Sequence, residues 1–250
     1  MNGETKKKSV GSVLYDDVMG GLRPMIPFVA GGGILMAISF MFGMRIGDNS
    51  VNQFAKILYE IGHNNAMLLM IPIFAGFIAH TIAGQDALAP GMIGGMIAKT
   101  TGSGFLGGIV AGFLAGYLVK LLNKLLSNFP EDFQSIKKLL IIPVISTFVV
   151  GIVMLCVVSV PMAWLNQGLT GFIDGLGTQN LVLTGMVIGG MMAVDLGGPI
   201  NKVAYTFAVA AISNGNYYPM AAAMVGGVVP PLGVALATTL FKKKFTKDQQ

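Results

Sequence analysis

An acid, an amide and an amine lie close together in an otherwise apolar stretch, at Asp195, Asn201 and Lys202. Gly197, Gly198 and Pro199 stand between them, and a Gly-Pro pair breaks a helix and frees backbone amides and carbonyls. Asp195, Asn201 and Lys202, with those backbone groups, could hydrogen-bond a polyol, as broken helices do at transporter midplanes. Asp195 and Lys202 could instead pair to couple an ion. A third reading is a polar turn at a membrane interface, with Lys202 snorkelling to the headgroups. Spacing leaves all three open.

Other polar residues carry less. Asp86, in Gly84-Gln85-Asp86-Ala87, is placed to cap a helix start. Asn64 and Asn65 read as caps of the next apolar run, and His63 as a loop residue. His80 is either a buried, hydrogen-bonded ring or a cavity residue. Asn214 to Pro219 reads as a turn. No triad, carboxylate pair or Walker motif is present, so no catalytic residue is assigned and ATP does not drive the chain directly. One cysteine, Cys156, and two histidines leave no disulfide framework and no metal site. No cofactor is expected.

The elements that hold these residues follow from composition. Of 250 residues, 54% are hydrophobic and 11% charged, with mean hydropathy +0.72. Soluble domains carry about 25% charged residues. Too little charge remains to cover a soluble body, which excludes an ordinary soluble enzyme or a disordered chain. An all-α, polytopic membrane bundle of six to eight spans is expected, with re-entrant or broken helices among them. Spans are predicted at Leu22–Gly43, Asn64–Ala83, Gly104–Leu126, Leu139–Val160, Asn180–Leu196 and Tyr217–Phe241. Leu88–Ala98 and Val203–Ser213 are apolar but short. Met1 to Asp17 is polar and carries Lys6, Lys7 and Lys8, so no cleavable signal peptide is expected.

Charge orients the bundle. Lys6, Lys7, Lys8 and Arg23 cluster at the start, Lys120, Lys124, Lys137 and Lys138 in the middle, and Lys242, Lys243, Lys244 and Lys247 at the end. The positive-inside rule puts all three clusters, and both termini, in the cytoplasm. The net charge of +5 is thereby explained by topology, and no nucleic-acid partner is expected. Asp48–His63 and Trp164–Gln179 become outer loops, the second with an amphipathic helix anchored by Trp164. Residues 1–21 form a cytoplasmic segment, 22–241 the membrane domain and 242–250 a basic cytoplasmic tail. Gly104, Gly108, Gly112 and Gly116 recur every four residues and make one helix face smooth enough for close backbone packing. Gly31 to Gly33 and Gly185 with Gly189 suggest similar contacts.

Several motifs, in order, resemble one family. Pro27 to Leu35, Ala89 to Gly95, Gly104 to Gly116, Val229 to Gly233 and Phe241 to Phe245 are similar to blocks of the fructose-type membrane component, IIC, of the bacterial phosphoenolpyruvate-dependent sugar phosphotransferase system. Met191 to Tyr205 is the most specific match. The resemblance implies that a sugar is bound outside and presented inside to a partner IIB domain, which phosphorylates it after being charged by IIA. It implies a location in the bacterial inner membrane, and a homodimer. It also makes Asp195, Gly198, Pro199, Asn201 and Lys202 the expected sugar-binding group. The phosphate-carrying cysteine belongs to the separate IIB domain, so Cys156 is given no such role. Two departures stand out. Gly84-Gln85-Asp86-Ala87 replaces the Asp-Arg-Pro-Gly tetrad that usually precedes Leu-Ala-Pro-Gly. The Gly-Ile-Thr-Glu-Gly-type motif, whose glutamate belongs to the family's sugar site, does not occur in this sequence. An ion-coupled secondary transporter, and an incomplete subunit needing a C-terminal partner, are the alternative readings.

Overall fold

The computed structural model describes residues 10–44, 52–130, 133–175, 180–194, 199–213, 215–241 and 244. Every element among them is helical. In chain order they are α1 (Val10–Met41), α2 (Gln53–Tyr59), α3 (Met70–Ala83), α4 (Leu88–Thr100), α5 (Gly104–Leu125), a single turn α6 (Gln134–Ile136), α7 (Ile142–Val153), α8 (Ser159–Gly175), α9 (Leu181–Val194), α10 (Pro199–Ser213) and α11 (Tyr218–Leu240). Three π-helical segments interrupt them, at Glu60–Ala66, Lys137–Ile141 and Met154–Val158. Five helical stretches of the described residues are long and apolar enough to cross a membrane: Gly11–Met41, Gln53–Ala83, Gly104–Leu125, Gln134–Leu165 and Tyr218–Leu240. This is an all-α, multi-pass membrane protein.

Several boundaries differ from the sequence expectation. The first helix starts at Val10 rather than near Leu22 and runs through Pro24 and Pro27. Most of the expected outer loop Asp48–His63 is helical, because α2 and the π turn continue into the next span. Likewise Trp164 to Gly175 lies in α8, with Trp164 75% exposed as an interface anchor would be. A helix pays for its backbone polar groups internally, so apolar runs extend into polar flanks until a breaker stops them. One such stop is Gly84, at φ +76°, whose N–H returns to the His80 carbonyl. At 13 residues α4 is about 20 Å long, and α9 at 14 residues about 21 Å, both short of a bilayer core of about 30 Å.

Two compact units divide the chain, Met1–Asn166 and Gln167–Gln250. In the first, α3 is the buried centre, from Met70 to Ile78 on nearly all sides except Phe77. Glycines of two neighbours close on it. A Cβ at Gly108 would lie 2.8 Å from Ile71 Cγ2, and one at Gly116 2.8 Å from Ile82 Cβ. From α4, a Cβ at Gly91 would lie 2.9 Å from Gly76 Cα and one at Gly95 2.9 Å from the Ile71 carbonyl oxygen. The four-residue glycine repeat is thus a packing face against α3. Phe74 and Phe105 stack across the same seam, centroids 4.4 Å apart. The Gln134–Leu165 stretch instead exposes Leu139, Phe148, Leu155 and Val160, as a lipid-facing surface should.

In the second unit α9 and α11 cross at glycine. A Cβ at Gly226 would stand 2.6 Å from the Cα and carbonyl oxygen of Gly189. Gly185 and Gly31 meet nothing within 4 Å, so only part of the expected glycine contact holds there. Gly32 does pack, its added Cβ falling 2.8 Å from Ala66 Cβ and 3.0 Å from the Gly62 carbonyl oxygen.

Candidate functional site

The polar stretch expected to break a helix falls between α9 and α10. Helix α9 is described to Val194 and α10 from Pro199. Asp195 and Gly198 lie outside the described residues. Pro199 and Lys202 are placed by backbone, at the start of α10. Asn201 is half-buried, and its Nδ2 donates to the Met192 carbonyl oxygen at 2.9 Å. Asn201 therefore ties α10 back to α9. One of its two amide protons is spent on that tie, which leaves the group fewer bonds for a sugar than the sequence suggested.

A second polar cluster joins α3, α4 and α5. Asp86 does not cap α4, whose start carries no side-chain cap bond. Its Oδ2 instead accepts from Asn123 Nδ2 on α5, at a long 3.4 Å. Capping needs the carboxylate to fold onto the next turn, and the three-residue 3₁₀ turn Gln85–Ala87 aims it across to α5. His80 is half-buried, with its ring tilted against Phe77 at 5.8 Å. Asp17, deep in the first unit at 7% exposure, has Asp16 and Lys120 as charged neighbours.

Asn64 and Asn65 are not caps either. Asn64 Nδ2 donates to the Glu60 carboxylate, and Asn65 Nδ2 donates to the Glu60 carbonyl oxygen at 2.8 Å. A side chain that bonds a carbonyl five residues back competes with the regular ladder and suits a π turn. His63, expected in a loop, stacks on Tyr59 within that turn, centroids 4.9 Å apart. Its Nδ1 is buried with no hydrogen-bond partner. Sequence reasoning gave Glu60 no role; the spacing of Lys56, Glu60 and Asn64 at four-residue steps was the available signal. Lys137 was missed too. It is 7% exposed, and its Nζ donates to the Leu126 carbonyl oxygen at 2.6 Å, closing the C-terminal end of α5. Asn214 lies outside the described residues. The turn after it is present, with Gly215 at φ +82° and Asn216 Oδ1 accepting from the Tyr218 N–H.

Comparison with known proteins gives a consistent picture. A family model described as "Phosphotransferase system, EIIC" matches residues 19–250. A fructose-specific EIIABC component of Bacillus subtilis is 50% identical over 250 residues, covering 98% of this chain and 39% of the relative. The fructose permease IIC component of Bacillus amyloliquefaciens is 50% identical over 200 residues, 80% of this chain and 66% of the relative. A fructose-specific EIIB'BC component of Escherichia coli is 46% identical over 247 residues, 99% of this chain and 43% of the relative. The chain thus spans about two fifths of the two multi-component relatives, and just under two thirds of the permease. No solved structure matches.

Proposed function

The chain belongs to the EIIC family of the phosphotransferase system, and from that premise we propose that it carries a fructose-like sugar inward across a bacterial cytoplasmic membrane. A partner IIB domain, charged through IIA, phosphorylates the sugar as it reaches the inner face. The observation that carries this reading is identity of 46–50%, over nearly the whole chain, to components named as fructose-specific. The names of those relatives join B and C components, which supports IIB as the partner. A homodimer belongs to the same proposal.

The lysine clusters support cytoplasmic termini. With them inside, Lys120 and Lys124 mark the inner end of α5. The sugar site is assigned to the α9–α10 break, through Asp195, Asn201 and Lys202, with Gly198 and Pro199 as helix breakers. Its support is the Asn201 bond from α10 back to α9 and the match of Met191 to Tyr205 to the family motif.

The test is phosphoenolpyruvate-dependent formation of labelled fructose phosphate by membrane vesicles holding the full chain, with soluble phosphotransferase components added. Labelled sugar phosphate that requires phosphoenolpyruvate is expected. Uptake of unmodified sugar that collapses with the ion gradient would overturn the reading in favour of an ion-coupled carrier. Replacing Asn201 and Lys202 together with alanine should abolish the reaction at unchanged membrane abundance. Full activity of that variant would remove the site assignment.

A further inference from the structure

We propose that the backbone carbonyls of Gly226 and Gly227 in α11 form a further hydroxyl-accepting group for the sugar, beside Met192 and Asn201. This rests on the reading of the chain as a sugar carrier and adds neutral acceptors to the group of Asp195, Asn201 and Lys202.

The sequence itself leaves these two oxygens over. In an α-helix a carbonyl accepts from the N–H four residues on. For Gly226 that residue is Pro230 and for Gly227 it is Pro231, and proline has no N–H to give. Changing the pitch does not supply both. A tighter turn from Gly227 meets Pro230, and a wider turn from Gly226 meets Pro231. The helix runs as α from Tyr218 to Leu240, with neither kind of turn inside it. No other group reaches in. The hydroxyls of Thr238 and Thr239 both donate to Ala235, and no loop or cap amide among the described residues bonds Gly226 or Gly227.

Depth and neighbours point to the sugar. At 23 residues α11 is about 35 Å long, enough to cross the bilayer core, and the two carbonyls lie near its middle. Backbone groups without partners persist at that depth where protein or a water-filled path meets them. Transporters use such interrupted helices at the midplane for the groups they carry. A neutral carbonyl takes a hydroxyl proton without placing a charge in the membrane. Gly226 and Gly227 are half-buried, and glycine lets a ligand come close to backbone. Gly226 lies against α9, where an added Cβ would fall 2.6 Å from Gly189 Cα. A Cβ at Gly227 would stand 3.3 Å from Met192 Cε, the flexible end of the residue whose carbonyl takes the Asn201 amide. One stretch of α9, from Gly189 to Met192, therefore meets both Asn201 of α10 and the open carbonyl pair of α11.

Pro230→Ala and Pro231→Ala test the pair, because each returns the missing N–H and occupies one carbonyl. The first measurement is unfolding of the purified full chain in sodium dodecyl sulfate. Each variant should unfold at a higher detergent fraction than the native chain, since a helical bond has been restored. No gain would show that the carbonyls already have partners, and would overturn the proposal. The second is equilibrium binding of labelled D-fructose to the full chain in membrane vesicles, without phosphoenolpyruvate. Each variant should raise the Kd about fivefold, the worth of one neutral hydrogen bond. Competition by the monodeoxy-D-fructoses then separates a contact from a change of helix shape. At least one analogue, lacking the hydroxyl that meets the carbonyl, should bind the variant and the native chain equally. An unchanged Kd for D-fructose, or the same loss for D-fructose and every analogue, overturns the proposal. Native chain that binds no D-fructose would refute the sugar reading and this inference with it. The expected pattern in vesicles that form no sugar phosphate would uphold the carbonyl pair while refuting phosphotransfer.

Discussion

Gly112→Ala tests how closely α5 must approach α3. An added Cβ would lie 2.7 Å from Ile78 Cβ and 2.8 Å from the Ala75 carbonyl oxygen. Ordinary contact begins at 3.4 Å, so the helices must part by about 0.6–0.7 Å, and the backbone oxygen cannot swing aside. Overpacking of this size costs about 1–3 kcal/mol. Alanine also gains about 1 kcal/mol over glycine in a helix interior, which works against the loss. Gly31→Ala, in α1 of the same unit, receives that gain with nothing within 4 Å to strike. The difference between the two variants is therefore the clash, about 1–3 kcal/mol, or roughly a 5- to 150-fold change in the folded ratio. Unfolding in sodium dodecyl sulfate, followed by far-ultraviolet circular dichroism of the purified chain in micelles, reads it directly. Gly112→Ala should unfold at a lower detergent fraction than Gly31→Ala. Equal midpoints would refute the close α3–α5 seam and with it the packing role of the glycine repeat.

Three other outcomes follow from contacts in the structure. Gly226→Ala should destabilise the second unit by about 1–3 kcal/mol, through its 2.6 Å approach to Gly189, whereas Gly233→Ala, with open space around it, should not; the same unfolding assay compares them. Lys137→Met removes the charged donor to the Leu126 carbonyl, worth about 1.5–3 kcal/mol, and should speed chymotryptic cleavage at Phe129 and Phe133, while Lys138→Met at an exposed position should not. Ser103→Ala loses the Oγ bond to the Ser159 carbonyl at 3.1 Å and should cost about 1 kcal/mol in the unfolding midpoint.

The glycine seam and the π turn bear on function differently. Glycine faces hold α3, α4 and α5 at backbone contact, so the first unit has a rigid centre. At the π turn Glu60–Ala66 the regular ladder is interrupted and polar side chains collect, and Asn201 of α10 bonds back to α9. A carrier needs such interruptions, because only there can backbone and side chains meet a hydrated substrate inside a membrane.

Composition alone determined the class of this protein. Charge too scarce for a soluble surface and apolar runs of spanning length are sums over the sequence and need no coordinates. The four-residue glycine spacing likewise announced a smooth helix face, and Met191 to Tyr205 pointed to the family and to a helix break. What only the tertiary structure decided is which groups meet. Asn201 returns to Met192, Asp86 turns from its own helix to Asn123, and Lys137 closes the end of α5 eleven residues before it. The asparagines at 64 and 65 bond back to Glu60, inside a π turn that periodicity reads as loop and cap. Patterning reports the average side of a helix on which a residue falls. A hydrogen bond depends on tenths of an ångström between groups that local rules do not relate, so it is settled only when the chain has packed.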